Sequence, residues 1–242
     1  MDLLLQRETT CVKTNRSQMH ICLFDIDGTL LKTGGAGQAA MEAAMETEFG
    51  VRQPVEGIST AGRTDRAITA DIFAFHGLDN SPENCERFLS SYLKHLPDHL
   101  EERDGTILPG VQALLNTLSA RGDVLLGLLT GNYREGAQIK LGYYRLDTHF
   151  RFGGFGDRHH HRNDVAREAL DEVHRQCDDN AELQRLWVIG DTPADIECGR
   201  TIGANVVAVG TGMYSLKTLE AAGPDHLFAD LSDLDPLLDL LR

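Results

Sequence analysis

A run of apolar residues near the start of the chain ends in two aspartates: His20-Ile-Cys-Leu-Phe-Asp-Ile-Asp-Gly-Thr-Leu-Leu31. Ile21 to Phe24 lack polar alternation, which is typical of a strand covered on both faces in a parallel sheet. Because residues i and i+2 of an extended chain point to the same side, Asp25 and Asp27 reach one shared space where this strand ends. Turn or cap formation explains a lone Asp-x-Asp-Gly equally well, so this motif alone does not identify a site.

Three further apolar runs have the same strand character, and helical patterns separate them. The runs are Val124–Leu129, Leu186–Ile189 and Asn205–Val209, and a shorter one follows at His226–Ala229. Helical spacing precedes the first run, around Val111 to Leu118, and recurs over Asp195 to Ile202, each pattern closed by a glycine. Alternating strands and helices predict a doubly wound α/β core with a parallel sheet and right-handed crossovers.

The segment between the first strand and the rest of the core has no strand character. Its apolar residues follow helical spacing in three stretches, Gln38–Phe49, Asp65–Phe75 and Pro82–Leu100. We therefore predict that residues 33–105 form a small α-helical cap domain inserted into the α/β core, which takes residues 19–32 and 106–242. Residues 1–18 are predicted to be a disordered tail.

Composition narrows the choice of partners. The net charge of −14 argues against nucleic acid or an anionic membrane surface as the main partner, because phosphate backbones are bound by clustered Lys and Arg. No stretch approaches the ~18 apolar residues of a membrane span. The five cysteines are odd in number and form no C-x-x-C pair, so we expect a reducing, cytoplasmic compartment.

Polar groups follow each long strand at the point where it ends. Thr130-Gly131-Asn132 comes after the second strand, and Gly190-Asp191 with Asp195 comes after the third. Taken singly, Thr130 or Asn132 is explained as a helix N-cap, and Asp195 as a first-turn acid. Because the carboxyl ends of parallel strands face the ligand crevice of an open α/β sheet, the whole set predicts a site there.

In this order, Asp25-Ile-Asp27-Gly-Thr29, Thr130-Gly-Asn and Gly190-Asp191-x-x-x-Asp195 resemble the three sequence motifs of the haloacid dehalogenase superfamily of phosphatases. The resemblance extends from residue 20 to about residue 235. The insert resembles the helical cap of the phosphoglycolate phosphatase and β-phosphoglucomutase subgroup. The resemblance implies a Rossmann-like core and the hydrolysis of a phosphate monoester.

The resemblance also assigns roles to the aspartates. Asp25 is implied to be the nucleophile that forms an aspartyl-phosphate, and Asp27 the acid that protonates the leaving oxygen and then activates water. Mg²⁺ is the implied cofactor, held by Asp25, Asp191 and the backbone carbonyl of Asp27, because carboxylates beside a phosphate dianion need a cation. Asp195 is implied to be a further ligand or, preferably, an anchor for the other groups.

Phosphate binding is implied for a second group of residues. The implied donors to phosphate oxygens are Thr29, the Thr130 hydroxyl and the backbone amides of Gly131 and Asn132. By the same resemblance, the site is expected to take a small phosphorylated metabolite.

The family also needs a Lys or Arg between the second and third motifs, often in a Lys-Pro pair that this chain lacks. Arg162, which opens a helical pattern, is the first choice for this cation, and Lys140 is the alternative. An exposed cation or a helix-face ion pair is the competing explanation for either residue. The run His159-His160-His161 just before Arg162 is expected to bind metal only adventitiously, because three adjacent imidazoles do not readily converge on one ion.

The loop Ala61–Arg66 has two explanations of equal weight. Gly62 permits a tight bend, and Thr64 or Asp65 can cap the following helix, so the loop is explained as a helix entry. By resemblance, Arg63, Thr64 and Asp65 overhang the crevice and contact the leaving group of the substrate. Arg63 is then the first candidate, because its guanidinium suits a carboxylate or a second phosphate.

Three functions remain open on the sequence. The first is a Mg²⁺-dependent phosphoric monoester hydrolase, monomeric or homodimeric, and the second is a phosphomutase, although Thr29 favours hydrolysis. The third is a binding protein with a catalytically silent site. A dehalogenase is disfavoured because that branch lacks the second aspartate, present here as Asp27.

Overall fold

The computed structural model describes residues 19–52, 57–177 and 185–242. The predicted tail, residues 1–18, lies outside the described residues. The strands in these ranges are β1 His20–Phe24, β2 Leu31–Lys32, β3 Thr106–Ile107, β4 Val124–Leu129, β5 Gly153–Gly154, β6 Leu186–Gly190, β7 Asn205–Val209 and β8 His226–Phe228. The α-helices are α1 Ala36–Phe49, α2 Asp65–Phe75, α3 Pro82–Glu102, α4 Val111–Ser119, α5 Arg134–Tyr143, α6 Arg162–Cys177, α7 Pro193–Thr201, α8 Leu216–Ala222 and α9 Asp235–Leu240.

Six of the strands form one sheet in the order β5-β4-β1-β6-β7-β8, and every neighbouring pair is parallel. Phe24 of β1 lies opposite Leu128 of β4 and Ile189 of β6. The strand order reverses around β1, which is where open α/β sheets bind their ligands. The predicted doubly wound α/β core is confirmed.

The side chains of β1 alternate between two apolar cores. Cys22 and Phe24 belong to the core beneath α4, whereas Ile21 and Leu23 belong to the core beneath α6. All four side chains are fully buried. Both faces of β1 are therefore covered by helices, which explains why its sequence shows no polar alternation.

The helix and strand boundaries follow the sequence closely, with small differences that have local causes. β4 and β7 begin and end where their apolar runs predict, and α2 spans the predicted Asp65–Phe75. α7 begins at Pro193, two residues before the predicted start, because the side chain of Thr192 caps it. α4 ends at Ser119, before the glycine at 122, where the hydrogen bonding tightens as the backbone N–H of Arg121 bonds the carbonyl of Leu118.

Helices α1, α2 and α3 share an apolar cluster of their own. Phe73 and Phe88 meet edge to face at its centre, with ring centroids 5.6 Å apart. The chain leaves and re-enters the α/β core through the antiparallel pair β2–β3, which pairs Leu31 with Ile107. We keep residues 33–105 as the proposed extent of the insert, since this pair flanks it. Neither α3 nor any other described helix is long and apolar enough to cross a membrane.

Candidate active site

The carboxyl ends of β1 and β4 and the helical insert line a cavity of about 260 Å³. Asp25 and Asp27 line it from the end of β1, and Asn132 lines it from the loop after β4. Met41 of α1 and Tyr92 of α3 close it from the insert. Polar groups from separate strands therefore converge on one space, as the strand-end pattern predicted.

The turn after β1 brings the chain against Asp191. The backbone N–H of Asp25 still continues the sheet by donating to the carbonyl of Ile189 at 3.0 Å. Gly28 then takes a φ of 93°, and a Cβ at this position would lie 2.5 Å from Oδ2 of Asp191. Glycine at 28 is thus required by both backbone conformation and space. The turn fixes Asp25 and Asp191 side by side.

Three acidic side chains form a buried cluster that includes Asp25 of the cavity wall. Ligand atoms of Asp25, Asp191 and Asp195 all lie within 4.8 Å of one another. Burial raises the pKa of Asp25 and of Asp191 above the ordinary carboxyl value, and the negative charge of Asp195 adds to both shifts. A divalent cation with oxygen ligands would relieve this repulsion, so the donor set fits Mg²⁺ at Asp25 and Asp191.

Both carboxylate oxygens of Asp195 accept hydrogen bonds from neighbouring residues. Its Oδ2 accepts hydrogen bonds from the backbone N–H and the hydroxyl of Thr192, at 3.0 and 2.7 Å, in a reciprocal capping box at the start of α7. Its Oδ1 accepts from the guanidinium of Arg162. Of the two roles implied for Asp195, these contacts favour an anchor over a direct metal ligand.

Thr29 is fully buried and donates from Oγ1 to Oδ1 of Asp191 at 2.9 Å. It was predicted to bind phosphate. In the structure its hydroxyl is engaged with the acid instead, where it orients the carboxylate toward the cluster. The contact explains why a hydroxyl is needed at position 29.

Arg162, the first residue of α6, is buried beside the nucleophile candidate. Its two terminal nitrogens lie 3.4 and 3.5 Å from Oδ1 of Asp25. Its Nε is buried and has no hydrogen-bond partner among the described residues. The terminal nitrogens carry positive charge toward Asp25, so a phosphate oxygen placed beside Asp25 would meet these donors.

Lys140, on α5, is buried as well and serves a different acid. Its Nζ lies 2.7 Å from Oδ2 of Asp27 and 2.6 Å from Oδ1 of Asn132. Asn132 in turn donates from Nδ2 to the same Asp27 oxygen, at 2.8 Å. The sequence treated Arg162 and Lys140 as alternatives, but the structure brings both cations into the site. The signal that separates them is the position of Lys140 on the buried face of α5, one turn after Gly136 and Ala137.

The loop that enters α2 docks directly on the core. Thr64 caps α2 by accepting from the backbone N–H of Ala67 at 3.1 Å, as predicted. The backbone N–H of Asp65 donates to the carbonyl of Gly131 at 2.7 Å, and Oδ2 of Asp65 accepts from the backbone N–H of Tyr133 at 2.8 Å. Burial, the largest cause, raises the pKa of Asp65 to about 6.

The start of α5 differs from the sequence-based expectation. Taken singly, Thr130 or Asn132 could have been explained as the cap of this helix, but α5 begins at Arg134 and its cap position is Tyr133, without a side-chain cap bond of its own. Asp65 reaches this helix start from the insert instead. The amides of Gly131 and Asn132 consequently precede the helix, although both residues line the cavity.

Two glycines allow three backbone segments to stack at this point. A Cβ on Gly131 would collide with the carbonyl oxygen of Arg63, and a Cβ on Gly156 would collide with the carbonyl oxygen of Gly131. The insert loop, the loop after β4 and the loop after β5 therefore touch through their main chains.

Arg63 and the histidines at 159–161 form ion pairs and hydrogen bonds away from the acidic cluster. The guanidinium of Arg63 pairs with Asp71 of α2 at 2.7 Å and donates to the carbonyl of Ser59 at 3.2 Å. Nε2 of His159 lies 2.8 Å from a carboxylate oxygen of Glu168. Within the described ranges, the histidines at 159–161 join no cluster of three metal-ligating side chains.

Comparison with known proteins adds independent information. The model of the haloacid dehalogenase-like hydrolase family matches residues 22–209. The chain is 26% identical to a phosphoglycolate phosphatase of Rhodospirillum rubrum over 224 residues, covering 88% of each chain. It is also 26% identical to the pyrophosphatase PpaX of Halalkalibacterium halodurans, over 90% of this chain and 95% of the relative.

Solved structures share the fold. CbbY from Rhodobacter sphaeroides, in complex with phosphate, superposes with a TM-score of 0.69 at 17% identity, over 89% of this chain and 96% of CbbY. A predicted phosphoglycolate phosphatase from Haemophilus somnus superposes with a TM-score of 0.68 at 17% identity, over 91% of this chain and 98% of that chain.

Proposed function

Because the chain belongs to the haloacid dehalogenase-like hydrolase family, we propose that it is a Mg²⁺-dependent phosphatase that hydrolyses a small phosphorylated metabolite through an aspartyl-phosphate. One observation carries the proposal: Asp25 lies between an acid suited to bind a cation, Asp191, and a buried guanidinium, Arg162. Asp25 also lines the cavity. A phosphoryl group placed there meets a nucleophile and positive charge together.

In the first step, a carboxylate oxygen of Asp25 attacks phosphorus and the bond from phosphorus to the leaving oxygen breaks. Asp27 gives its proton to that oxygen, so an alcohol departs and an aspartyl-phosphate remains. In the second step, Asp27 takes a proton from water, whose oxygen attacks phosphorus and releases inorganic phosphate and Asp25. Splitting one difficult displacement into two is the usual benefit of covalent catalysis.

The surrounding groups handle charge and orientation. Bound at Asp25, Asp191 and the backbone carbonyl of Asp27, Mg²⁺ would supply positive charge to the phosphate oxygens. The terminal nitrogens of Arg162, which lie beside Asp25, would donate to one of these oxygens, with the Thr130 hydroxyl and the amides of Gly131 and Asn132 as further donors.

Asp27 needs a fixed orientation because it must reach the leaving oxygen and then water. Lys140 and Asn132 both hold its Oδ2, which leaves Oδ1 for proton transfer. The two cations therefore divide the work, with Arg162 serving the phosphoryl group and Lys140 the acid.

A turnover assay tests the proposal. Purified protein is incubated with p-nitrophenyl phosphate in MgCl₂ and, separately, in EDTA, and phosphate release is followed. We expect multiple turnovers with Mg²⁺ and none with EDTA. A catalytically silent binding protein would give no turnover in either, and a phosphomutase would need a bisphosphate activator. A cytoplasmic location, argued from the cysteines, is proposed alongside.

A further inference from the structure

The hydroxyl of Tyr92 is a buried polar group of a cavity-lining residue that the proposed mechanism does not use. Tyr92 lies on α3 of the insert, is fully buried and lines the cavity. Its hydroxyl has no hydrogen-bond partner among the described residues. Buried hydroxyls in proteins are almost always paired, so an unpaired one at a cavity wall points to a missing partner.

Packing explains the ring of Tyr92 but not its hydroxyl. The ring belongs to the apolar cluster of the insert and lies 6.1 Å from the ring of Tyr133, centroid to centroid. A Cβ on Gly136 of α5 would lie 3.2 Å from the hydroxyl oxygen, so the glycine leaves room at the tip of the side chain. A phenylalanine, such as the neighbouring Phe88, would fill the same space without an unpaired polar atom.

The charges near Tyr92 define its role as a donor. Burial and the negative charges of Asp65 and Asp27 raise the pKa of Tyr92 well above its ordinary value, so the phenol keeps its proton. Asp65 lines the same cavity and uses Oδ2 for Tyr133, while its second carboxylate oxygen receives no hydrogen bond within the described ranges. A donor and an acceptor thus lie at one end of the cavity.

The cations at the cavity wall bear on whether the leaving group is charged. Each of the three that line it is already paired with an acid: Arg63 with Asp71, Lys140 with Asp27, and Arg162 with Asp25. The charge of Lys140 acts on Asp65, but its Nζ is already bonded to Asp27. A carboxylate or second phosphate near Asp65 would therefore add negative charge beside two acids that share one cation.

Resting on the proposed phosphatase activity, we infer that Tyr92 and Asp65 recognise an uncharged, hydroxylated leaving group. A substrate hydroxyl can accept a hydrogen bond from the Tyr92 hydroxyl and donate one to the Asp65 carboxylate at the same time. The cavity volume of about 260 Å³ falls below the usual ~300–1,000 Å³ of sites for drug-sized ligands. The substrate class is thus a small polyol or sugar phosphate, with Tyr92 as a specificity-determining residue.

Three phosphate monoesters of similar size test this inference. Glycerol 3-phosphate carries two uncharged hydroxyls, propyl phosphate carries none, and phosphoglycolate carries a carboxylate. We measure kcat/KM for each with the wild type, with Tyr92→Phe, and with Tyr143→Phe as the matched control on an exposed tyrosine. The wild type should prefer glycerol 3-phosphate to both others by about tenfold or more, the worth of one good hydrogen bond.

Tyr92→Phe should reduce the preference for glycerol 3-phosphate over propyl phosphate by about tenfold, while Tyr143→Phe should keep it. Equal use of these two esters by the wild type, a preference for phosphoglycolate, or an unchanged ratio in a folded Tyr92→Phe would each overturn the inference. The wild-type ratios decide the matter if that variant does not fold, as judged by thermal melting. If the protein hydrolyses none of the three esters and does not hydrolyse p-nitrophenyl phosphate either, the proposed function itself is overturned.

Discussion

The carboxylate of Asp65 accepts a hydrogen bond from the backbone N–H of Tyr133 at 2.8 Å. Asp65 begins α2 of the insert, whereas Tyr133 precedes α5 of the core. A negative charge at a helix N-terminus is favourable, because the first backbone N–H groups of a helix lack partners within it. This one contact joins the insert to the loop that carries the proposed phosphate donors.

Asp65→Asn should change how stability depends on pH. The folded-state pKa of Asp65, about 6, lies above the ordinary carboxyl value of 3.8, so the folded protein holds this proton more tightly than the unfolded chain. The contribution of this protonated carboxyl to the free energy of unfolding is fully present below pH 3.8, the ordinary carboxyl pKa that applies to the unfolded chain. It is lost as the pH rises through the folded-state pKa of about 6. From pH 4 to 7, the variant should gain up to about 3 kcal/mol in free energy of unfolding relative to the wild type.

Urea unfolding at several pH values measures this difference, with Asp71→Asn as a control on an exposed acid of the same helix. Because the other buried acids are present in both proteins, their contributions cancel. The prediction would be contradicted if the difference in free energy of unfolding between the wild type and Asp65→Asn stayed constant with pH.

Asp25→Asn should abolish turnover while the fold is kept. The amide has the size of the carboxylate but cannot form the aspartyl-phosphate, so kcat should fall at least about a thousandfold. Phosphate release from p-nitrophenyl phosphate gives kcat, and the thermal melt reports on the fold. Retention of more than a few per cent of activity would rule out the covalent route.

Mg²⁺ affinity should rise with pH. Burial and mutual repulsion raise the pKa of Asp25 and Asp191, so protons compete with the cation until both acids ionise. We expect the Mg²⁺ concentration for half-maximal thermal stabilisation to fall as pH rises from about 5, then to level off. Asp191→Asn should raise the Mg²⁺ requirement steeply, and Ca²⁺ should inhibit turnover because its larger shell misplaces the phosphate. Full activity in EDTA would defeat this prediction.

Arg162→Ala and Lys140→Ala should fail in different ways. Arg162→Ala removes a preorganised donor to the phosphoryl group, so kcat/KM should drop about 10²–10³-fold and inhibition by inorganic phosphate should weaken. Lys140→Ala frees Asp27 rather than the phosphate, so it should lose less activity and keep phosphate inhibition. Arg162→Lys should restore part of the loss. If Lys140→Ala loses more activity and also loses phosphate inhibition, the two roles are assigned the wrong way round.

Much of the core could be predicted from the sequence because burial on both faces leaves an unmistakable pattern. β4 and β7 are six and five residues long and consist almost entirely of apolar residues and glycine, and their limits agree with the structure. By contrast, β2 and β3 have two residues each, too few to show any period, and they form only because the insert brings their ends together.

The site could be predicted in part for a similar reason. Asp25, Asp27 and Asp191 follow strands, and parallel strands force their ends to one edge. The contacts of Lys140 with Asp27 and of Asp65 with Tyr133 depend on how helices pack across the cavity, and 113 and 68 residues separate these partners. Local spacing carries no information about such distances, and the unpaired hydroxyl of Tyr92 has no sequence signal at all.

The stacking of main chains at Gly131 sets a limit on how this enzyme can diversify. Arg63 and Gly156 meet Gly131 through backbone atoms, so substitutions at the first of these positions leave the junction intact, whereas any side chain at 131 would push the insert off the core. In a saturation library, active clones should keep glycine at 131 while tolerating change at 63. Position 63 can therefore change in evolution while the contact between the insert and the core is kept.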